Sequence, residues 1–282
     1  MAPRPGPTGS EPFGDVPQAL VVAGVPRTYR LAVPAAARRA TPLPLILLFH
    51  GTGSTAAEQS AYSRLPAEGA AAGYLVATPD ARDGNWVLAR PGSPTADQAF
   101  VTALVADLGS RYCIDADRIY AAGFSLGSQF AAVLACDPAD HIAAVGLVSA
   151  DYLIGPCRGP VPVVAFHGTA DPVVPYASGA TGRSVPGVPV VGVQQNLAAW
   201  AHLDRCRTVP RVTRPAADIV RRSWTGCRAG STVTLYTVLG GGHTWPGSPV
   251  VLPADFGPTT ESVSATRTFL DFFGRVGAPP AA

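Results

Sequence analysis

Charge is scarce in this chain of 282 residues: charged side chains make up 14%, and 21 Lys+Arg against 19 Asp+Glu leave a formal +2. The basic side is carried by arginine and forms no run, so nucleic acid is excluded as an expected partner. Long apolar stretches are also missing. Segments such as Leu43–Phe49 and Ala143–Ser149 fall far short of the roughly 20 residues that span a bilayer, so they read as buried strands and no membrane span is expected. None of the five cysteines stands at a C-x-x-C spacing and no metal-ligand spacing is present, which excludes a zinc site and leaves no cofactor to expect. There is no internal repeat. No charged-then-apolar signal segment is read at the N-terminus, where Met1–Pro12 is Pro/Gly-rich instead.

Length and cysteine usage bound the rest. A chain of this size buries a sizeable core in one domain: residues 16–276 are expected to be that domain, 1–15 a linker and 277–282 a tail. Five cysteines beside 29 prolines and 30 glycines point to disulfides in an oxidising compartment, hence to a secreted or extracellular protein whose signal has been removed. Cys206 and Cys227 bracket a polar, Arg- and Pro-containing stretch and are expected to pair. Among Cys113, Cys136 and Cys157 one pair and one free thiol are expected, and the sequence does not choose between them.

Hydrophobic patterning alternates between strands and helices. Ala19–Val22 and Arg27–Val33 read as an antiparallel edge pair. Leu43–Phe49, Tyr74–Ala77, Ala143–Ser149, Val163–Phe166 and Thr232–Val238 read as core strands. Ala56–Ala72, Asp97–Arg111, Val193–Leu203 and a segment near Ser262–Phe273 read as helices. The alternation describes a doubly wound, mostly parallel α/β sheet. Pro172–Val191, rich in Gly, Pro, Val and Ser, is too irregular for a helix and is expected to border a cleft.

The sharpest local feature is Arg118-Ile-Tyr-Ala-Ala-Gly-Phe-Ser-Leu-Gly-Ser-Gln-Phe-Ala-Ala-Val-Leu-Ala135, an apolar run that meets Gly-x-Ser-x-Gly and then a small-residue helix. Gly123 and Gly127 flank Ser125 at the spacing of a nucleophile elbow, where missing side chains let the chain turn tightly and lift the hydroxyl above the sheet. A serine needs a histidine to take its proton and a carboxylate to hold the histidine. In the elbow-bearing fold these follow on later loops, acid before histidine. His202 lies in an apparent helix, whereas His243 follows a strand across Gly240-Gly241-Gly242. His243 is therefore the expected base. Asp151 and Asp171 both end strands; Asp171 is favoured for its short loop and following proline. His50 and His167 are read as residues that hydrogen-bond locally and shape their loops. The oxyanion donors are expected from the N–H groups of Leu126 and Thr52, with Gly51 as the alternative to Thr52.

Taken together, Phe49-His-Gly-Thr52, Asp117-Arg-Ile-Tyr-Ala-Ala-Gly-Phe-Ser125, Phe166-His-Gly-Thr-Ala-Asp-Pro-Val-Val-Pro-Tyr176 and Gly242-His-Thr-Trp-Pro-Gly247 resemble the secreted α/β-hydrolase esterases that include feruloyl esterases and extracellular poly(3-hydroxybutyrate) depolymerases. The resemblance runs from about Val25 to Phe273. It implies the α/β-hydrolase fold, a triad of Ser125, Asp171 and His243, and Trp245 beside the acyl site. The chain departs from many relatives in carrying Leu126-Gly-Ser128 rather than Asn-Gly-Gly after the serine, which keeps the backbone donor and alters the pocket side chain. With Trp86 and Tyr176 expected on the same face, Trp245 suggests an aromatic wall for a flat or apolar acyl group. The implied substrates are soluble hydroxycinnamoyl or short hydroxyalkanoate esters, from plant cell-wall or polyester fragments, hydrolysed by a monomer. An acyltransferase of the same fold, an acetyl-xylan-type esterase and an inactive binding protein are the alternatives.

Overall fold

The computed structural model describes residues 14–38, 41–88, 94–137, 141–153, 157, 159–182 and 190–276. Most of the expected linker, the expected tail and residues 183–189 of the Gly/Pro-rich segment lie outside them.

The described chain opens with the antiparallel pair β1 (Asp15–Val22) and β2 (Val25–Ala32). There follow β3 (Leu43–Phe49), the short helices α1 (Ala56–Ser63) and α2 (Leu65–Ala71), β4 (Leu75–Pro79) and α3 (Ala96–Arg111). The centre is β5 (Ile114–Phe124), α4 (Leu126–Cys136), β6 (Ala144–Val148) and β7 (Val163–Gly168). The remainder is α5 (Val193–Leu203), β8 (Arg211–Ala216), β9 (Ile219–Trp224), β10 (Val233–Val238) and α6 (Ala265–Val276). One ten-stranded sheet results, in the order β1-β2-β4-β3-β5-β6-β7-β10-β9-β8. Its six central strands, β4 through β10, run parallel, and antiparallel strands close both edges.

Parallel strands covered on both faces must be apolar at successive positions, which is why β3, β4, β6 and β7 are nearly continuous runs. Alternate residues serve opposite faces. Leu45, Leu47 and Phe49 pack with Phe100 and Leu104 of α3, Phe130 of α4 and Trp200 of α5, whereas Ile46 and Leu48 pack with Leu65 of α2 and Phe269 and Phe273 of α6. Helix α6 reaches the sheet through Ala265, Phe269, Phe272 and Phe273, spaced i, i+4, i+7 and i+8 on one stripe.

Two elements differ from expectation. The helix expected over Ala56–Ala72 is broken at Arg64, a left-handed residue (φ 57°), because Pro66 in the first turn of α2 cannot continue a preceding helix without losing a hydrogen bond and clashing. The stretch between Cys206 and Cys227 contains the hairpin β8–β9, which extends the sheet beyond β10; its exposed, Arg-rich outer strand gives no apolar alternation to read. Cys206–Cys227 and Cys136–Cys157 form disulfides, each closing a separation of 21, and Cys113 is free and exposed. Loops of that size contribute about 3 kcal/mol in the chain-entropy account. No helix among the described residues is long and apolar enough to cross a membrane.

Candidate active site

Strand β5 delivers Ser125 at its carboxyl end, in the middle of the sheet. Ser125 has φ 54° and ψ −122°, a backbone conformation that costs a non-glycine residue of order 1–3 kcal/mol and persists only where packing enforces it. The enforcement is visible at the two glycines. A Cβ on Gly123 would lie 2.3 Å from the Gly127 carbonyl, and one on Gly127 would lie 2.3 Å from the Phe49 carbonyl oxygen. The elbow is pressed against itself and against the end of β3. Helix α4 starts at Leu126, so its first N–H groups, which have no intrahelical acceptor, crowd around the serine and favour negative charge there. Ser128, which with Leu126 departs from the pattern of many relatives, donates to Ala150 O at 2.6 Å and accepts from Val148 N–H at 3.1 Å. It ties the helix to the end of β6.

The loop after β3 passes over the same spot. His50 is fully buried; its Nε2 accepts from Ala81 N–H at 3.0 Å, so Nδ1 carries the proton and donates to Gly51 O at 2.7 Å. Burial lowers its pKa, which keeps the ring neutral in that role. Trp86 Nε1–H donates to His50 O at 2.9 Å, with its ring stacked on Phe130 at 4.7 Å. These contacts set the backbone of Gly51 and Thr52 beside Ser125.

The acid and the histidine arrive on the loops after β7 and β10. Asp171 Oδ1 accepts the N–H groups of Val173 and Val174, each at 2.8 Å. Its other oxygen, Oδ2, accepts from His243 Nδ1–H at 2.8 Å, leaving Nε2 of His243 as the basic nitrogen. Both side chains are buried. A Cβ on Gly168 would lie 2.1 Å from Gly241 O, and one on Gly242 would lie 2.2 Å from Phe256 O. Gly168 is what lets the two loops meet, and Gly242 lets the histidine loop pack against the segment at Phe256. The His243 ring lies between Phe124 (4.9 Å) and Phe256 (6.1 Å).

Ser125, His243, Gly51 and Thr52 open into one cavity of about 740 Å³. Leu126 follows Ser125 as the first residue of α4, with its side chain against the core. The apolar wall is built by Tyr62, Phe124, Val173, Leu252, Pro253 and Phe256. Phe124, next to the serine in the elbow motif, was within reach of sequence reasoning; Tyr62, Leu252 and Phe256 carry no motif and were missed. Gln59 also lines the cavity. It is 2% exposed, and its amide nitrogen has no partner among the described residues.

The aromatic wall expected from Trp245, Trp86 and Tyr176 is not what those side chains form. Trp245 is fully buried, donates through Nε1 to Thr266 Oγ1 at 3.0 Å and meets Phe269 edge-on at 5.5 Å. Its backbone N–H donates to Tyr62 Oη at 2.7 Å. Trp245 thus anchors the histidine loop to α6. Trp86 braces the β3 loop from below, and Tyr176 pairs with Thr237 Oγ1 at 2.7 Å and packs against His167. The reason is volume: a large apolar ring flanked by a strand end and a helix contributes more when fully buried than when half-wet. Trp245→Ala is accordingly expected to cost roughly 3–5 kcal/mol of stability, read as a fall in thermal midpoint. Unchanged stability with a selective loss of kcat/KM would return Trp245 to the pocket.

A parallel sheet with a strained serine at the tip of its central strand, and a carboxylate-held histidine over the same cavity, defines an esterase of the α/β-hydrolase fold. Comparison with known proteins specifies it further. The family model described as "Esterase PHB depolymerase" matches residues 27–205, and the chain belongs to that family. It is 33% identical to "Putative esterase NocK" of Nocardia uniformis subsp. tsuyamanensis over 90% of this chain and 80% of that protein. It is 30% identical to "Feruloyl esterase B" of Piromyces equi over 71% of this chain and 39% of that longer protein, and 25% identical to "Feruloyl esterase D" of Neurospora crassa over 89% and 83%. Among solved structures, the acetyl xylan esterase from Aspergillus awamori superposes with a TM-score of 0.60 at 15% identity, covering 92% of this chain and 99% of that one. That likeness concerns the fold.

Proposed function

We propose that the chain hydrolyses esters of hydroxycinnamic or short hydroxyalkanoic acids through an acyl-enzyme on Ser125, with His243 as general base and acid and Asp171 as the carboxylate that holds it. The observation that carries this reading is the 2.8 Å bond from His243 Nδ1 to Asp171 Oδ2 in the wall of the cavity that Ser125 also lines. Ser125 Oγ attacks the ester carbonyl as its proton passes to His243 Nε2. The N–H groups of Leu126 and Thr52 receive the oxyanion. Collapse of the tetrahedral intermediate expels the alcohol, which takes the proton from His243. Water then enters by the same route and frees the acid.

Substrate class follows from the wall. A cavity of about 740 Å³ lined by Tyr62, Phe124 and Phe256 is far larger than an acetyl group needs and suits a planar or branched apolar acyl chain. The unpartnered Gln59 amide gives such a chain a donor for one oxygen, such as a ring or chain hydroxyl. The names of the feruloyl esterase relatives support the hydroxycinnamoyl choice. The same reading takes residues 16–276 as one catalytic domain acting as a monomer on soluble esters, and takes the two disulfides as support for export.

A fluorophosphonate probe is expected to label Ser125 stoichiometrically and abolish hydrolysis. In a panel of methyl hydroxycinnamates, hydroxybutyrate oligomers and aryl acetates, the first two are expected to exceed acetates in kcat/KM by roughly tenfold or more, the scale on which an apolar pocket discriminates. Preference for acetates would favour the acetyl-xylan type. Transfer to added alcohols in preference to water would make it an acyltransferase.

A further inference from the structure

Behind the Asp171–His243 pair lies a second buried pair that the proposed reaction leaves unused. His167, in β7, and Asp151, just past β6, have side chains 0% and 1% exposed. His167 Nε2 is 2.9 Å from Val174 O and 3.4 Å from Asp171 Oδ2. A carbonyl oxygen only accepts, so Nε2 carries a hydrogen and donates it to Val174 O, with the oxygen that Asp171 offers to His243 lying 3.4 Å from the same nitrogen. The other ring nitrogen, Nδ1, faces Asp151 Oδ1 at 3.9 Å. Neither Nδ1 nor Asp151 Oδ2 has a hydrogen-bond partner among the described residues. Asp151 is held in place from α5: Asn196 Nδ2 reaches its Oδ1 at 3.4 Å and Trp200 Nε1 donates to its backbone carbonyl at 3.1 Å.

We propose that His167, oriented by Asp151, is a positioning residue for the esterase reaction: it fixes Asp171 against His243, so that Asp151, His167, Asp171 and His243 form one buried chain of alternating carboxyl and imidazole groups. The proposal rests on Ser125, Asp171 and His243 acting as described above. Burial raises the Asp151 pKa to about 6, with the nearby imidazole opposing that rise, so a bare carboxylate facing a bare Nδ1 is disfavoured in the interior. The bond to Val174 O holds Nε2–H in place whichever form Asp151 takes, and it keeps the positive end of that N–H beside Asp171 Oδ2.

Few other titratable or charged groups meet this chain. Tyr176 presents its ring to His167. Tyr152 follows Asp151, its hydroxyl pushed up to about 12 chiefly by burial and further by the two carboxylates. On β10, Thr237 pairs in register with His167 and takes Arg222 Nη1 at 3.3 Å. From α5 only the neutral Asn196 and Trp200 face Asp151.

The His167 N–H dipole beside Asp171 Oδ2 offsets part of the carboxylate charge that faces His243. Its removal loosens Asp171 and leaves the full charge on the imidazole it holds. His167→Leu is therefore expected to lower kcat roughly 10- to 100-fold with KM within twofold, and to move the acid limb of the kcat/KM profile to higher pH, because His243 must be unprotonated to act. His167→Gln, whose amide N–H reaches toward Val174 O and Asp171, is expected to return kcat to within roughly threefold of the parent and the limb to its place. Fluorophosphonate labelling of Ser125 in the parent separates the two readings. If the parent is labelled and a folded His167→Leu variant keeps parental kcat and acid limb, the positioning role is overturned and the triad stands. Equal losses in the Leu and Gln variants with an unmoved limb overturn it as well, leaving His167 as scaffold.

Discussion

Ser125→Ala is expected to lower kcat by roughly 10⁴-fold or more while the protein keeps its fold. The hydroxyl oxygen is the only heavy atom removed, and no hydrogen bond among the described residues depends on it: the elbow is held by the Ser125 N–H on Val148 O at 2.9 Å and by the glycine contacts. What remains is binding in the cavity and the N–H groups at the start of α4, which account for only a small residue of catalysis once the nucleophile is gone. Steady-state turnover, with circular dichroism and thermal midpoint as controls, reads the outcome. Substantial turnover in a folded Ser125→Ala variant would move the nucleophile elsewhere.

Asp171→Asn is expected to be almost as severe, also roughly 10⁴-fold in kcat, and the structure says why. Oδ1 of Asp171 accepts two backbone N–H groups, so an asparagine there must place its carbonyl oxygen on that side and turn its NH₂ toward His243 Nδ1. Two donors cannot share a hydrogen bond. His243 is then driven to the tautomer with its hydrogen on Nε2, and Nε2 can no longer take a proton from Ser125. Asp151→Asn, separated from Asp171 by His167, is expected to cost less than about tenfold. The reverse order of the two variants in kcat would transfer the acid role to Asp151.

The sequence went further on the site's motif residues than on its walls. Gly123, Ser125 and Gly127 were legible because an elbow needs residues without side chains at fixed offsets, and the clashes that a Cβ would make at both glycines are the physical content of that motif. His243 was legible from chain order and its glycine approach. The preference for Asp171 over Asp151 rested on its short loop, the proline that follows it and the family resemblance; in the structure Asp171 is the one hydrogen-bonded to His243. The walls follow a different logic. Trp245 stands two residues from His243, a spacing that would share a face in an extended segment, but the loop bends at His243 and Thr244, so its ring turns to α6 while the histidine turns to the cavity. Tyr62 and Phe256 enter from segments 63 and 131 positions from Ser125, with no local pattern to announce them.

Short-range chemistry accounts for what can be read along the chain: the parallel strands, from continuous apolar runs that only a doubly covered sheet can bury, and the order of Ser125, Asp171 and His243 at the ends of β5, β7 and β10. Tertiary structure decided which large side chains became core and which became pocket. It also decided that the arginine-bearing stretch between Cys206 and Cys227 pairs as a sheet-edge hairpin, and that Asp151 and His167 stand behind Asp171. Each of those outcomes depends on which distant segments share a volume, and no local pattern carries that information.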